Sequence, residues 1–262
     1  MATNPAPAEG EITGNVLLYS RPEPLNIEQH GKLGFNRSAT PFGFAARTHV
    51  APLVVTEFAP ASMSYPIIFA GDDHQPLAVM SLRPDENLFI AASGAVDPAT
   101  YVPAYIRRYP FVFANDEQAQ RLVVCIDRAS KALVENGDTP LFQNGDTSQF
   151  TKDAIEFCRQ FEEERQRTEQ FVQLLKDNDL FELKKAVFTP RNADGSLGEE
   201  QPIAEYFAVS EEKLNALAPE KLLELQRTGA LAQIYAHLIS LLNWDRLIAS
   251  TLALGEPTAG NA

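Results

Sequence analysis

The 262-residue sequence predicts an α+β fold: a mostly β N-terminal half with repeated hairpins, packed against a mainly helical C-terminal half. Three observations lead there. Up to about residue 146, β-branched and aromatic runs of about five residues alternate with clusters of Pro, Gly and Asp, which is the pattern of strands between turns. After residue 147 the apolar residues recur every three or four positions, the helical period. Finally, Tyr65-Pro66-Ile67-Ile68-Phe69-Ala70-Gly71-Asp72 is echoed by Tyr109-Pro110-Phe111-Val112-Phe113-Ala114-Asn115-Asp116.

Taken in order, residues 1–15 are rich in Pro, Ala, Glu and Gly without periodicity and read as a disordered tail. Within 16–146, "VAPLVVTEF", "YPIIFAG", "PLAVMSL", "NLFIA", "YPFVFA" and "RLVVCID" read as strands. Each echoed copy reads as a hairpin: proline opens the strand, an Asp-rich turn follows, and an apolar strand returns. Allowing one extra residue, Gln75, Leu77, Val79 and Met80 are answered by Gln120, Leu122, Val124 and Cys125.

The helical half spans 147–254. Thr147 or Ser148 can cap a long helix whose buried face carries Phe150, Ala154, Phe157, Phe161, Thr168, Phe171 and Leu175. Its middle, "EEERQRTEQ", is charged all round and reads as solvated. "LKKAVFTP" and "AEYFAVS" form a hairpin near 183–209 that returns to the β half, making one intertwined domain. Ser210 caps a short helix, Pro219 starts another to about Arg227, and Gly229 ends it. A last helix over about 230–252 is apolar on most faces and should be deeply packed, before a frayed tail at 255–262.

With 22 Lys+Arg against 35 Asp+Glu, the chain carries a net charge of −13. Such a surface repels phosphate backbones, which argues against nucleic-acid binding. The most apolar run, "ALAQIYAHLISLL", is too short and too polar for a membrane span. No basic n-region with an apolar h-region opens the sequence, and Cys125 and Cys158 form no CxxC pair. The expectation is a cytoplasmic protein with reduced thiols, with export by a route needing no N-terminal signal left open.

No GxSxG, P-loop, HExxH or GxGxxG motif occurs. "GDDHQ" sets Asp72 and Asp73 beside His74, but the order suits a hairpin tip better than a metal site, so neither a metal nor a cofactor is predicted. His237, between apolar residues, reads as a neutral, hydrogen-bonded core histidine. "HGKLGFNRSATPFGFAARTHV" places Arg37, Arg47 and His49 among glycines and phenylalanines, a loop tucked onto the sheet or the lining of a pocket.

"YVPAYIRRYPFVFA" (101–114) is the richest stretch. Pro103 can begin one helical turn that Pro110 must end. Arg107 and Arg108 then either satisfy carbonyls and nearby carboxylates, with the tyrosines packed over strands, or act as a clamp for a carboxylate or phosphate. The candidate ligand set is Arg107, Arg108, Tyr105 and His49.

"PEPLNIEQHGKL", "FGFAARTHVAPLVVTEF", "YPIIFAGD", "YVPAYIRRYPFVFA", "EEKLNAL" and "IYAHLISLLNWDRL" together resemble the SapC family of bacterial proteins over nearly the whole chain. The resemblance implies a link to surface layers, and company with halogenase-like and cupin-like proteins and TonB-dependent receptors; it brings no catalytic residue set. Two functions follow as expectations. One is an accessory interaction protein with a protein partner or a second copy, linked to a cell-surface layer or nutrient-uptake system. The other is a binding protein or enzyme for a small anionic molecule, partnering a halogenase-like system.

Overall fold

The computed structural model describes residues 17–36, 41–116, 121–189 and 198–253. The expected tails at 1–15 and 255–262, Arg37, and the turn residues 190–197 lie outside the described residues. In chain order the first elements are β1 (Pro22–Pro24), α1 (Ile27–His30), β2 (Leu33–Phe35), β3 (Val50–Pro52), α2 (Phe58–Ser62), β4 (Ile67–Ala70), β5 (Gln75–Val79), α3 (Ala104–Arg107), β6 (Phe111–Asp116) and β7 (Arg121–Asp127). They continue with β8 (Leu133–Glu135), β9 (Thr139–Pro140), β10 (Phe142–Gln143), β11 (Asp146–Thr147), α4 (Gln149–Asp177), β12 (Phe181–Phe188), β13 (Gln201–Val209), α5 (Glu211–Asn215), α6 (Pro219–Arg227), α7 (Ala230–Ser240) and α8 (Asn243–Ala253). Antiparallel strands dominate the N-terminal half and helices the C-terminal half, as the sequence pattern predicts. By contact the chain divides into two compact units, residues 1–39 with 108–162, and residues 40–107 with 163–262.

In the first unit, β1-β7-β6 and β8-β2-β9 form small sheets, and β10-β11 form a hairpin. Leu33, Phe111, Ile126, Leu133, Leu141 and Cys158 make one buried cluster in it, and Tyr19, Val112 and Cys125 a second. Gly34 is required by close approach: a Cβ there would stand 2.7 Å from the Gly137 carbonyl oxygen. Ser148 caps α4 by accepting the Thr151 N–H at 3.2 Å, and the Thr151 hydroxyl donates to the Leu141 carbonyl at 2.8 Å. Cys125 and Cys158 are free and buried, and burial pushes both thiols up to about 11.

The second unit is built on one antiparallel sheet in the order β12-β13-β4-β5-β3. The 183–209 hairpin therefore joins strands from the N-terminal half, through the pairing of Phe207 with Phe69. "IIFA" in β4 is an unbroken apolar run because both of its faces are covered. Ile68 packs in a cluster with Tyr206, Trp244 and Leu247. Phe69, pointing the other way, meets Phe58, Phe181 and His237 edge-on at 6.1, 4.9 and 5.0 Å between ring centroids. Phe171 of α4 stacks T-shaped on Phe58 at 5.7 Å.

Helix α7 is stitched to the start of β4. Ile67 N–H donates to the Ser240 hydroxyl oxygen at 2.9 Å, and His237 Nδ1–H donates to the Ile67 carbonyl at 3.0 Å. The other ring nitrogen, Nε2, accepts the Val209 N–H at 3.1 Å, which fixes the neutral Nδ1–H tautomer. Asn243 extends the clamp, its amide donating to the carbonyls of Ser62 (2.7 Å) and Tyr65 (3.1 Å). His237 is thus the neutral core histidine that the sequence suggests.

The echoed segments both form hairpins, β4-β5 and β6-β7, but in different sheets. Their returning arms do not correspond residue for residue: Leu77 pairs with Ile68, whereas its sequence counterpart Leu122 pairs with Asn115. The second hairpin simply has longer arms.

Four expectations are corrected. "VAPLVVTEF" is a strand only over Val50–Pro52; a 3-10 turn at Val55–Glu57 and helix α2 follow, because the Glu57 carboxylate captures the Val54 N–H at 3.0 Å. "NLFIA" is no strand beyond a single bridge from Ile90 to Val96, because the Asn87 side chain accepts the Phe89 and Ile90 N–H groups, both at 2.9 Å. The helix over 230–252 is two helices, α7 and α8, broken at Leu241-Leu242. Nor is it buried all round: Ile239 and Leu242 are 57% and 78% exposed.

Burial holds the His237 imidazole down at about 4, so it stays neutral in the fold. A histidine free in the unfolded chain titrates near 6.5, so the unfolded state gains its proton first as pH falls. The stabilising contribution is complete above about pH 6.5 and is lost between there and about pH 4, on the order of 3 kcal/mol in all. Urea unfolding across that range should show His237→Gln losing this slope relative to the wild type. Parallel curves for the two proteins would contradict it.

Candidate functional site

The structure distributes the predicted ligand set. Tyr105 (buried) and Arg107 (exposed) lie on α3, which packs on β3 just after the half-buried His49. Arg107 Nε donates to the Val102 carbonyl at 3.0 Å and Nη2 to the Tyr101 hydroxyl at 3.2 Å, with the guanidinium 5.7 Å from the Tyr101 ring centre. The His49 carbonyl accepts the Met80 and Ser81 N–H groups at 2.7 and 3.1 Å, which ties its loop to the end of β5. Arg108 belongs to the other unit, where it lies over the rings of Phe161 at 4.4 Å and Tyr19 at 5.8 Å. Adjacent in sequence, the two arginines thus serve different units.

The tyrosines of the same stretch divide likewise, each ending on a buried carboxylate. In the second unit Glu57 is 5% exposed; its Oε1 accepts the Tyr101 hydroxyl at 2.7 Å and the Ala104 N–H at 2.6 Å. In the first unit Asp127 is fully buried and accepts the N–H groups of Ser20, Arg21 and Ala129 at 2.9–3.0 Å, with the Tyr109 hydroxyl at 3.2 Å. Burial first, and the neighbouring carboxylate second, push the Tyr101 phenol up to about 12; burial likewise raises Tyr109 to about 12. Both phenols are therefore fixed donors at neutral pH. Sequence reading passed over Glu57 because "VVTEF" looks like a strand, and a strand would place that residue at an ordinary surface position.

Tyr101 also connects Glu57 to a cavity of about 710 Å³ in the second unit. Its backbone N–H donates to the Ser64 hydroxyl at 3.3 Å, and its carbonyl accepts the Tyr65 hydroxyl at 2.5 Å. Ser64, Phe89, Val96, Asp97, Thr100 and Arg246 are among the lining residues. The Phe89 ring is held edge-on against Tyr65 at 4.6 Å, and Arg246 Nη2 donates to the Ser64 carbonyl. Nothing in the local sequence signalled this cavity, since its walls come from the turn after α2, the loop after β5, and α8.

The "GDDH" turn is stacked rather than open. Asp72 and Asp73 are exposed, while the His74 ring lies on Phe181 and Phe207 at 4.4 and 4.2 Å. No group of three His, Cys, Asp or Glu residues that could hold a metal ion occurs among the described residues, and no described helix is long and apolar enough to cross a membrane.

An exposed apolar row forms the remaining surface feature. Tyr235, Ile239 and Leu242 recur at i, i+4 and i+7, on one face of α7 and its end. Met63, 78% exposed, follows Ser62, whose carbonyl is bound by Asn243, so it stands beside the end of α7.

Removing the buried acceptor should be costly. Glu57→Gln puts an amide NH₂ among groups that all donate, and should lower unfolding stability by about 3 kcal/mol; Tyr101→Phe should cost about 1 kcal/mol. Urea unfolding measures both, and equal losses for the two variants would contradict the assigned roles.

The SapC family model matches residues 25–247 of this chain. No curated protein and no solved structure matches it.

Proposed function

The chain belongs to the SapC family, and on that premise we propose that it is an accessory interaction protein, serving a cell-surface layer or nutrient-uptake system. It docks a protein partner through the face carrying Tyr235, Ile239, Leu242 and Met63. The observation that carries this reading is the exposure of that apolar row, where Leu242 and Met63 are each 78% exposed. Covering such side chains is worth about 25 cal/mol per Å² of apolar surface removed from water, and large apolar groups at the centre of an interface dominate its affinity.

Charge selects the kind of partner. A second copy would bring another −13 charges to the contact, which opposes self-association. The partner that fits is a different protein, with an apolar strip set in a basic surround that steers the encounter.

Size-exclusion chromatography with light scattering should show a monomer at tens of micromolar. With source-cell proteins as prey, Ile239→Asp combined with Leu242→Asp should lower capture of a stoichiometric, salt-sensitive partner at least about tenfold. Self-association through this face, or a partner held equally by the double variant, would contradict the reading.

A further inference from the structure

The cavity beside Ser64 is open to solvent, and its rim carries an exposed guanidinium, Arg246, with no carboxylate partner among the described residues. In this acidic chain, arginines commonly pair with carboxylates: Arg21 with Glu23, Arg83 with Glu86, Arg159 with Glu156 and Arg167 with Glu164. Arg246 does not. Among the described residues its one hydrogen-bond partner is the Ser64 carbonyl, taken by Nη2, so the remaining N–H groups of the guanidinium are available. That single bond holds the planar fork at the cavity wall, which reduces the ordering cost of receiving an anion there.

The rest of the wall defines the remainder of the ligand. Phe89, fixed by its contact with Tyr65, stands with Leu88, Val96 and Leu247 as apolar lining. Among the described residues, Arg246 is the one cationic lining residue and Asp97 the one acidic one. The Asp97 carboxylate is turned into its own loop, where it accepts the Ala99 N–H at 2.8 Å. About 710 Å³ lies within the ordinary range for small-molecule sites, which combine apolar walls with a few polar anchors.

We propose that this cavity binds a small organic monocarboxylate, its carboxylate on the guanidinium of Arg246 and its apolar body against Phe89 and Val96. The site shares Met63 at its rim with the docking face, but its anchors, Arg246 and Phe89, lie outside that face, so it does not depend on that reading. Phosphate alone is a poor fit, since it leaves the apolar wall uncovered. The Arg107 and Arg108 pair plays no part in it.

The test is calorimetric titration of the whole chain with 3-phenylpropanoate and octanoate, and with 3-phenylpropanamide as the uncharged counterpart. Both acids should bind saturably and the amide at least about tenfold more weakly, the worth of a charge-assisted hydrogen bond. Arg246→Gln should erase the preference for acid over amide. Ala95→Trp, which narrows the cavity and keeps the Arg246 guanidinium, should weaken acids and amide together and keeps the test open if Arg246→Gln fails to fold. Asp97→Asn should leave acid binding undiminished. Absence of saturable binding by both acids, equal binding of acid and amide, or loss of acid binding in Asp97→Asn would overturn the proposal.

Discussion

The two hydrogen bonds that His237 and Ser240 make to the backbone of Ile67 are the constraint on which the second unit rests. A strand start between two packed faces has no water to satisfy its backbone groups, so both must find partners within the protein. Helix α7 supplies them from one turn, since residues three apart lie on the same face. Asn243, three residues further and the first residue of α8, binds the carbonyls of Ser62 and Tyr65, beside the break at Leu241-Leu242.

The surface features follow from that seam. Ser64 and Tyr65 are held by their neighbours in the clamp, and through them the Tyr101 backbone and the Phe89 ring are fixed as well. Helix α8, which begins after the break at Leu241-Leu242, brings Arg246 to the Ser64 carbonyl and Leu247 to the cavity wall. The same break leaves Leu242 exposed beside Met63. The exposed apolar row and the cavity thus adjoin one buried polar seam, and the seam carries neither by itself.

Local chemistry was legible in the sequence wherever a residue acts on its own neighbours. The Ser148 and Ser210 caps, the amphipathic faces of α4, Pro219 at the start of α6 and the strand openings at Tyr65-Pro66 and Tyr109-Pro110 all need only nearby partners. What escaped the sequence depends on distant partners. The break at Leu241-Leu242 lies in an uninterrupted apolar run without Gly or Pro, and is set by Asn243 reaching the end of α2. Arg107 and Arg108 look like a pair because they are adjacent, yet the chain passes from one compact unit to the other between them. Glu57 and Arg246 carry no local signature, because a buried carboxylate and a cavity-wall guanidinium are defined by what the fold brings to them.

The most direct measurement is native-state hydrogen exchange at the amides of Ile67 and Val209, which donate to Ser240 and His237. If this seam organises the second unit, both amides exchange only through the largest opening free energy found in that unit, and both respond to denaturant as global unfolding does. Exchange of either amide through a small, denaturant-insensitive fluctuation, while Phe69 and Ala78 stay protected, would contradict the claim.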